Sequence, residues 1–430
     1  MRKRVGTLCI SMTLLLCTAG CGSNPDAAPE RTIRFSWWGG ESRHQATAEA
    51  VRAFEAQHPD IRVQTEYGAW NGWEEAAAAA LYAGTEPDVM QINQNWLRDY
   101  QSDGSGFLDL NAYSSIIDLS QYDPAVLEMC TEDGALRCIP ISETGRVFFW
   151  NETTFAAAGI PVPDSFASLC KAGSIFQETL GDSYYPLALG WYDRMLFTVY
   201  LLQCRYGRDW VTNGALQYSE EEITSALETV DMLEKTHVIP PLKQITGGGA
   251  DSFDKDENWI TGRYAGIYEW DSSAGKFIDS LEEGQTLAVG AYFSDIGQYH
   301  GGFSKIAQSF AISKHTADPA ACAELISFLV SDAEAVRLLG TERGIPLNQK
   351  AYDICDTAGL LGDISAEASR RMHDWVGFRI DPDFERAALK GTGGVYEDVF
   401  TGLSYGDYSV SQAAERLYAG IQAALAGEQP

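Results

Sequence analysis

Thr32-Ile-Arg-Phe-Ser-Trp-Trp-Gly-Gly40 opens the stretch whose reading decides the fold, and that stretch runs on to Tyr100. Residues 32–37 read as a short strand, and Trp38, Gly39 and Gly40 as a turn at its carboxyl end. From Gln45 to His58 the apolar residues Ala46, Ala50, Val51, Ala53 and Phe54 fall on one helical stripe, which Pro59-Asp60 stops. Ile61, Val63 and Thr65 alternate with polar residues as a second strand. Trp73 to Tyr82 is almost pure helix former, closed by Gly84, and Val89-Met-Gln-Ile92 is a third strand. Strands and helices that alternate in this way predict a parallel sheet. Open sheets of that kind bind ligands beyond the carboxyl ends of their strands. Those ends carry Trp38, Gly39, Trp70, Trp73, Asn93, Gln94, Asn95 and Trp96, a wall of aromatics and amides.

Ahead of this stretch, Arg2-Lys-Arg4 and the apolar run Leu8 to Cys17 read as a secretory leader, too short to span a bilayer, which takes about 20 residues. The formal charge of −29 becomes −32 when Arg2, Lys3 and Arg4 leave with the leader. A surface of that sign repels nucleic acid and anionic headgroups. Of nine cysteines, six lie beyond the leader and Cys21: Cys130, Cys138, Cys170, Cys204, Cys322 and Cys355. An even count in an exported chain predicts disulfides. Cys130 and Cys138 flank the turn signal Glu132-Asp-Gly134 and are expected to pair; chain order then suggests Cys170 with Cys204 and Cys322 with Cys355. With no Cys-x-x-Cys pair and scattered histidines, no metal or other cofactor is expected.

At 430 residues and 45% hydrophobic composition, the chain is expected to form two lobes. Cys138 to Trp150 reads as two strands around a break at Gly145, and Pro186 to Tyr192 as a strand that leaves Trp191 and Tyr192 at its end. Ser219 and Glu222 form a capping box for a helix that carries Ile223, Leu227, Val230 and Leu233 on one face. Ala265 to Trp270 is a strand that delivers Trp270, Asp271 and Ser272. Further helices are expected over Pro319 to Leu329, Ala366 to Val376 and Ser411 to Leu425.

The succession Trp-Trp-Gly-Gly40, Phe54-Glu-x-x-His-Pro-Asp-Ile-x-Val63 and Gly84-Thr-x-Pro-Asp-Val-Met-Gln-Ile92 resembles the extracellular solute-binding proteins of carbohydrate ABC importers, a wide family that includes maltodextrin-binding proteins. The resemblance continues at Ile139-Pro140, Phe149-Trp-Asn151, Gly159-Ile-Pro161, Gly262-Arg-Tyr-Ala-Gly266, Trp270, Phe310-Ala-Ile-Ser-Lys314 and Gly344-Ile-Pro346. It implies an α/β, two-lobe periplasmic-binding-protein-like fold, each lobe a mainly parallel sheet flanked by helices, with a cleft between lobes and several hinge crossings. The expected division is a signal peptide over 1–20 and a tether over 21–31. Lobe 1 would then take 32–144 and 305–345, and lobe 2 would take 145–304 and 346–430. Thr18-Ala-Gly-Cys21 resembles a lipobox with Thr18 at the usual leucine, which implies lipidation of Cys21 and anchorage outside the cell membrane. The implied partners are an oligosaccharide and the permease subunits of an ABC importer, and the protein is expected to be a monomer. By resemblance the first crossing places Glu143, Thr144 and Arg146 at the cleft, the return crossing Gly301 to Ser304 adds Phe303, and Trp270 stacks on the ligand.

A pyranose presents an apolar face of C–H groups and an edge of hydroxyls, so its receptor needs aromatic platforms and amide or carboxylate partners. Trp38, Gly39, Arg43, Trp70, Asn93, Gln94 and Trp96 are expected on one side, with Trp191, Tyr192, Trp270, Asp271 and Ser272 on the other. A neutral oligosaccharide is the central expectation. The alternative is a uronic acid, as in receptors for pectin fragments, with Arg43, Arg146 or Arg343 taking its carboxylate in a bidentate fork. An exported glycoside hydrolase is the rival, with Glu269 and Asp271 around Trp270 as its two carboxylates. No His-Glu-x-x-His and no phosphate-binding loop occurs. Asp254-Lys-Asp256-Glu-Asn258 starts like a calcium loop but has Trp259 where the glycine belongs.

Overall fold

The computed structural model describes residues 31–94, 96–99, 106–212, 214–247 and 252–427. The expected leader, Cys21 and most of the tether lie outside the described residues, as does Asn95. The strand Arg31–Trp38 is central to its end of the sheet. It pairs in parallel with Ile61–Gly68 on one side and Val89–Ile92 on the other. Its Ile33, Phe35 and Trp37 are buried on one face and Ser36 and Trp38 on the other, as a strand covered on both faces requires. The register puts Trp38 opposite Gly68, where a side chain would press on the Trp73 ring at 3.3 Å. Glu41–Gln57 and Trp73–Ala83 are the connecting helices, and Gly84, in the left-handed region, caps the second through its N–H to the Ala80 and Leu81 carbonyls.

The sheet then continues through antiparallel neighbours. Phe303–Ile312 pairs with Val89–Ile92 and with Ile139–Asn151. That second strand spans 13 residues without a break, a correction to the two strands expected around Gly145. Gly145 serves a close approach here, not a turn: a β-carbon on it would lie 2.6 Å from Met372 Cγ and 2.8 Å from the Phe303 carbonyl oxygen. The first half of the strand pairs with Phe303–Ile312, and the second half with Gly266–Trp270 and Leu287–Val289. One long strand thus carries the chain from one hydrophobic core to the other.

The first core collects Ile33, Phe35, Trp37, Val89, Ile139, Ile306, Phe310 and the inner face of helix Pro319–Ser331, where Cys322, Leu325, Ile326 and Leu329 are buried as the pattern predicts. The second collects Val147 to Trp150, helices Phe166–Thr179, Trp191–Tyr206 and Glu220–Lys235, and the closing pair Val395–Tyr405 and Val410–Leu425. The Ser219 capping box forms, with the Ser219 N–H donating to Glu222 Oε2 at 2.9 Å. Trp191 and Tyr192 do not end a strand; they open helix Trp191–Tyr206, whose Gly190 N–H donates to Asp193 Oδ2 at 3.0 Å.

Among the described residues no disulfide is present, and the six cysteines there are free thiols. The hairpin between Cys130 and Cys138 sets Thr131 opposite Leu136, and the Arg137 N–H donates to the Cys130 carbonyl. Cys130 therefore faces Arg137, one residue short of Cys138, although the two buried thiols still touch. Cys322 belongs to the first core and Cys355 to a small third cluster with Val336 and Ala351, so the pairing drawn from chain order is not formed. No helix among the described residues is long and apolar enough to cross a membrane.

Candidate functional site

At the carboxyl ends of the opening strands three tryptophans meet. Trp38 lies edge-on to Trp70 at 5.1 Å between ring centroids and tilted against Trp96 at 5.6 Å. Trp96 is fully buried and its Nε1 donates to Glu74 Oε1 at 2.8 Å, while Trp70 remains 40% exposed. Trp70 is therefore the outer platform of the trio, and the other two brace it. Gln94 Nε2 donates to the Met129 carbonyl at 2.6 Å, and both Asn93 and Gln94 are half-buried.

Two arginines stand behind this wall. Arg43 folds over Gly39, where a β-carbon would lie 2.5 Å from its Cδ, and donates to the Glu342 and Trp38 carbonyls. Burial pushes its pKa down to about 10. Arg343 is 4% exposed; its Nε donates to Gln91 Oε1 at 2.8 Å and its Nη2 to Thr47 Oγ1 at 2.9 Å. With Nε and Nη2 engaged and the guanidinium buried in the first core's interior, Arg343 offers no exposed bidentate face to a solute, a correction to its expected contact.

The second constellation surrounds Trp270. The Arg146 guanidinium carbon lies 4.5 Å and the Lys305 Nζ 4.7 Å from its ring centroid. Arg146 is buried and doubly paired, to Glu269 at 2.8 Å and Asp193 at 3.0 Å, and it also donates to the Tyr268 carbonyl. Burial raises the Asp193 carboxyl to about 6, against the pull of Arg146. Lys305 contacts Glu385 at 2.5 Å, and Lys390 reaches the same carboxylate at 3.0 Å. The Tyr192 hydroxyl donates to Glu385 Oε1 at 2.9 Å. Burial works to raise the Glu385 carboxyl, but the two ammonium groups outweigh it and hold it well below the usual carboxylate range. Burial lowers Lys305, with Glu385 opposing. Trp191 is half-buried and lies edge-on to Tyr192 at 5.7 Å. Gln94, Lys305, Ile306, Ile380, Asp381, Pro382 and Glu385 line a cavity of about 10 Å³, which joins the end of a first-core strand to the second-core tail. Lys305, Glu385 and Lys390 escaped the sequence reading because nothing in their local pattern sets them apart from surface charge. Only the return of Phe303–Ile312 beside the tail assembles them.

The remaining expected contacts are structural in this arrangement. The Thr144 hydroxyl donates to Asp271 Oδ1, which also accepts from the Gly145 N–H at 3.2 Å, and Ser272 Oγ lies 3.4 Å from Thr144 Oγ1. Burial raises the Asp271 carboxyl. Phe303 is core, edge-on to Trp270 at 6.4 Å. Glu143 accepts from Ser304 Oγ at 3.2 Å and lies 3.7 Å from both His373 and Arg379. These residues pin the crossing strands and have little surface left for a solute. One Gly-x-Ser-x-Gly match, Gly402 to Gly406, sits at the end of helix Val395–Tyr405, and its Ser404 Oγ donates to Glu234. A nucleophile elbow stands instead at a strand-to-helix turn. Among the described residues no cluster suits a metal ion.

Over residues 49–361 the chain matches the family of bacterial extracellular solute-binding proteins, and it belongs to that family. Its fold superposes with a TM-score of 0.87 on a periplasmic oligogalacturonide binding protein from Yersinia enterocolitica, solved in complex with saturated digalacturonic acid. The two are 33% identical, over 93% of this chain and 100% of the other. A periplasmic solute binding protein from Pectobacterium atrosepticum superposes equally well, at 0.87 and 30% identity, with the same coverage. An uncharacterised lipoprotein of Streptomyces antibioticus is 26% identical over 280 residues, 62% of this chain and 59% of its own. The chain spans about a third (34%) of the length of the first curated relative it matches, a Brucella abortus protein. The fold is thus the two-lobe one of periplasmic solute-binding proteins.

Proposed function

We propose that this chain is an extracytoplasmic receptor, lipid-anchored through Cys21, that binds a uronic-acid oligosaccharide between its lobes and delivers it to the permease subunits of an ABC importer. The observation that carries this reading is the half-buried Trp270 ring with two cations within 5 Å of its centroid. A sugar ring packs against aromatic surface, and an ammonium group held over that ring meets a carboxylate on the sugar's edge. Arg146 is neutralised by Asp193 and Glu269, whereas Lys305 and Lys390 share the single carboxylate of Glu385. The lysines are thus less fully paired than Arg146, although Asp381 also stands on the wall of their cavity. The carboxylate contacts therefore pass from the three arginines to Lys305 and Lys390. The complex of the Yersinia protein with digalacturonic acid supports the same choice of ligand.

Trp70, braced by Trp38 and Trp96, is the facing platform from the first lobe, with Asn93 and Gln94 for hydroxyls. One fully covered aromatic ring face contributes several kcal/mol at about 25 cal/mol per Å², so two platforms suffice for affinity around micromolar. The hydrolase reading loses its carboxylates. Glu269 is held by Arg146 and Asp271 is buried under Thr144, so neither is placed to protonate a glycosidic oxygen. Calorimetric titration of residues 22–430 with neutral and uronic oligosaccharides tests the proposal. One-to-one binding of uronides without hydrolysis products is the expected result, and binding of neutral glycans alone returns the site to the neutral-sugar reading.

A further inference from the structure

Arg343 poses a problem that solute binding does not solve. Its guanidinium is permanently charged, it is buried, and among the described residues no carboxylate lies within ion-pair distance of it. The nearby acid, Glu342, has its carboxylate engaged by Ser42 Oγ at 3.0 Å, and the neighbouring Arg43 adds a second positive charge. Nε is satisfied by Gln91 and Nη2 by Thr47, but Nη1 is buried with no hydrogen-bond partner.

Arg343 is also the one charged residue on the wall of a cavity of about 40 Å³ between the first core and the small third cluster. Leu329, Val330, Val336 and Leu339 form much of the rest, and Tyr122 contributes a buried hydroxyl that lies towards Asn348 without a well-formed hydrogen bond. The volume is room for about three waters at ~10–15 Å³ each. The polar groups left over are Nη1, which only donates, and a hydroxyl that is free to donate. Two donors, a lining that is apolar apart from Asn348, and a buried cation whose guanidinium has the Phe310 ring 5.7 Å away but no carboxylate together define a receptor for something small, negative and acceptor-only.

We propose that this cavity holds a small monovalent anion of halide size as the buried counter-ion of Arg343. The anion accepts from Nη1 and from the Tyr122 hydroxyl, and it holds the arginine that in turn positions Gln91, whose Nε2 donates to the Trp38 carbonyl at 3.3 Å. Bromide is the probe. Crystals of the chain grown in sodium bromide are expected to show an anomalous peak in this cavity within hydrogen-bonding reach of Nη1. In solution the unfolding midpoint is expected to rise saturably with chloride, measured against sodium gluconate at equal ionic strength. That rise is lost in Val336→Phe, which fills the cavity and keeps the cation, and in Arg343→Met. Absence of a bromide peak, with only water in the cavity, overturns the assignment, as does an unchanged chloride-specific rise in a folded Val336→Phe protein. If neither variant folds, the bromide map of the unaltered chain decides alone.

Discussion

Replacing Glu385 by glutamine removes one negative charge from between two ammonium groups and changes almost nothing in shape. Lys305 Nζ lies 2.5 Å and Lys390 Nζ 3.0 Å from the carboxylate. At an effective dielectric constant of about 20 the gross attractions are ~6.6 and ~5.5 kcal/mol, most of which the desolvation of the three charges cancels. The asymmetry of removal sets the measurable effect. Glutamine leaves Lys305, with a side chain 12% exposed, as an uncompensated cation beside Arg146 and a second lysine. Breaking a buried pair from one side costs about 3–5 kcal/mol. The amide oxygen still accepts from the Tyr192 hydroxyl, so the lower part of that range is expected. Lys390→Met serves as the control. At 30% exposure its loss costs about 1 kcal/mol, because solvent already screens that arm. Urea unfolding at pH 7, followed by circular dichroism, reads both values.

The acid limb gives a second reading of the same change. The folded carboxyl lies below its ordinary value, because Lys305 and Lys390 outweigh burial. Its stabilising contribution is therefore complete above the unfolded pKa of about 4.3 and drains away as the pH falls below it. The unaltered chain is expected to lose stability more steeply below about pH 4.5 than Glu385→Gln does. A variant within 1 kcal/mol of the unaltered chain at pH 7, with the same acid slope, would refute the electrostatic account of this cluster.

Other consequences are separable. Trp270→Ala is expected to lower affinity for a uronide at least tenfold, about 1.4 kcal/mol, by calorimetry, and to leave a cooperative unfolding transition. Trp70→Ala and Trp96→Ala are expected to diverge: the exposed Trp70 costs affinity with little stability, whereas the buried, hydrogen-bonded Trp96 costs about 3–5 kcal/mol of stability in urea. Gly145→Ala forces a β-carbon against Met372 and the Phe303 carbonyl and is expected to destabilise by about 1–3 kcal/mol; Met372→Ala in the same chain relieves only the side-chain half of that clash.

Local pattern carried the opening strands and helices to within a few residues, because Arg31–Ile92 is built from elements whose neighbours in sequence are neighbours in space. The capping box at Ser219 and the stripe of Pro319–Ser331 were legible for the same reason. Two failures came from glycines and strand ends. Gly145 looked like a break because a lone glycine carries no mark of whether it turns the chain or admits Met372. Trp191 and Tyr192 looked like the end of an apolar strand, although Gly190 with Asp193 three residues later forms the start of a helix. In the candidate site the sequence placed Trp38 and Trp270 at strand ends, where they stand, whereas Trp96 and Trp191 open helices. Which of them face a solute was not legible, since Trp70 and Trp96 differ in exposure and not in sequence character. The lysine–glutamate cluster was illegible for a plainer reason: Lys305 and Glu385 are 80 residues apart.

The most direct test of the account is calorimetric titration of the chain with digalacturonic acid and, separately, with its dimethyl ester, which keeps the rings and hydroxyls and loses both charges. Saturable one-to-one binding of the acid, with the ester at least tenfold weaker (about 1.4 kcal/mol), is the expected result. Equal binding of acid and ester would contradict the role of Lys305 and Lys390, and no binding of either would contradict the uronide receptor itself.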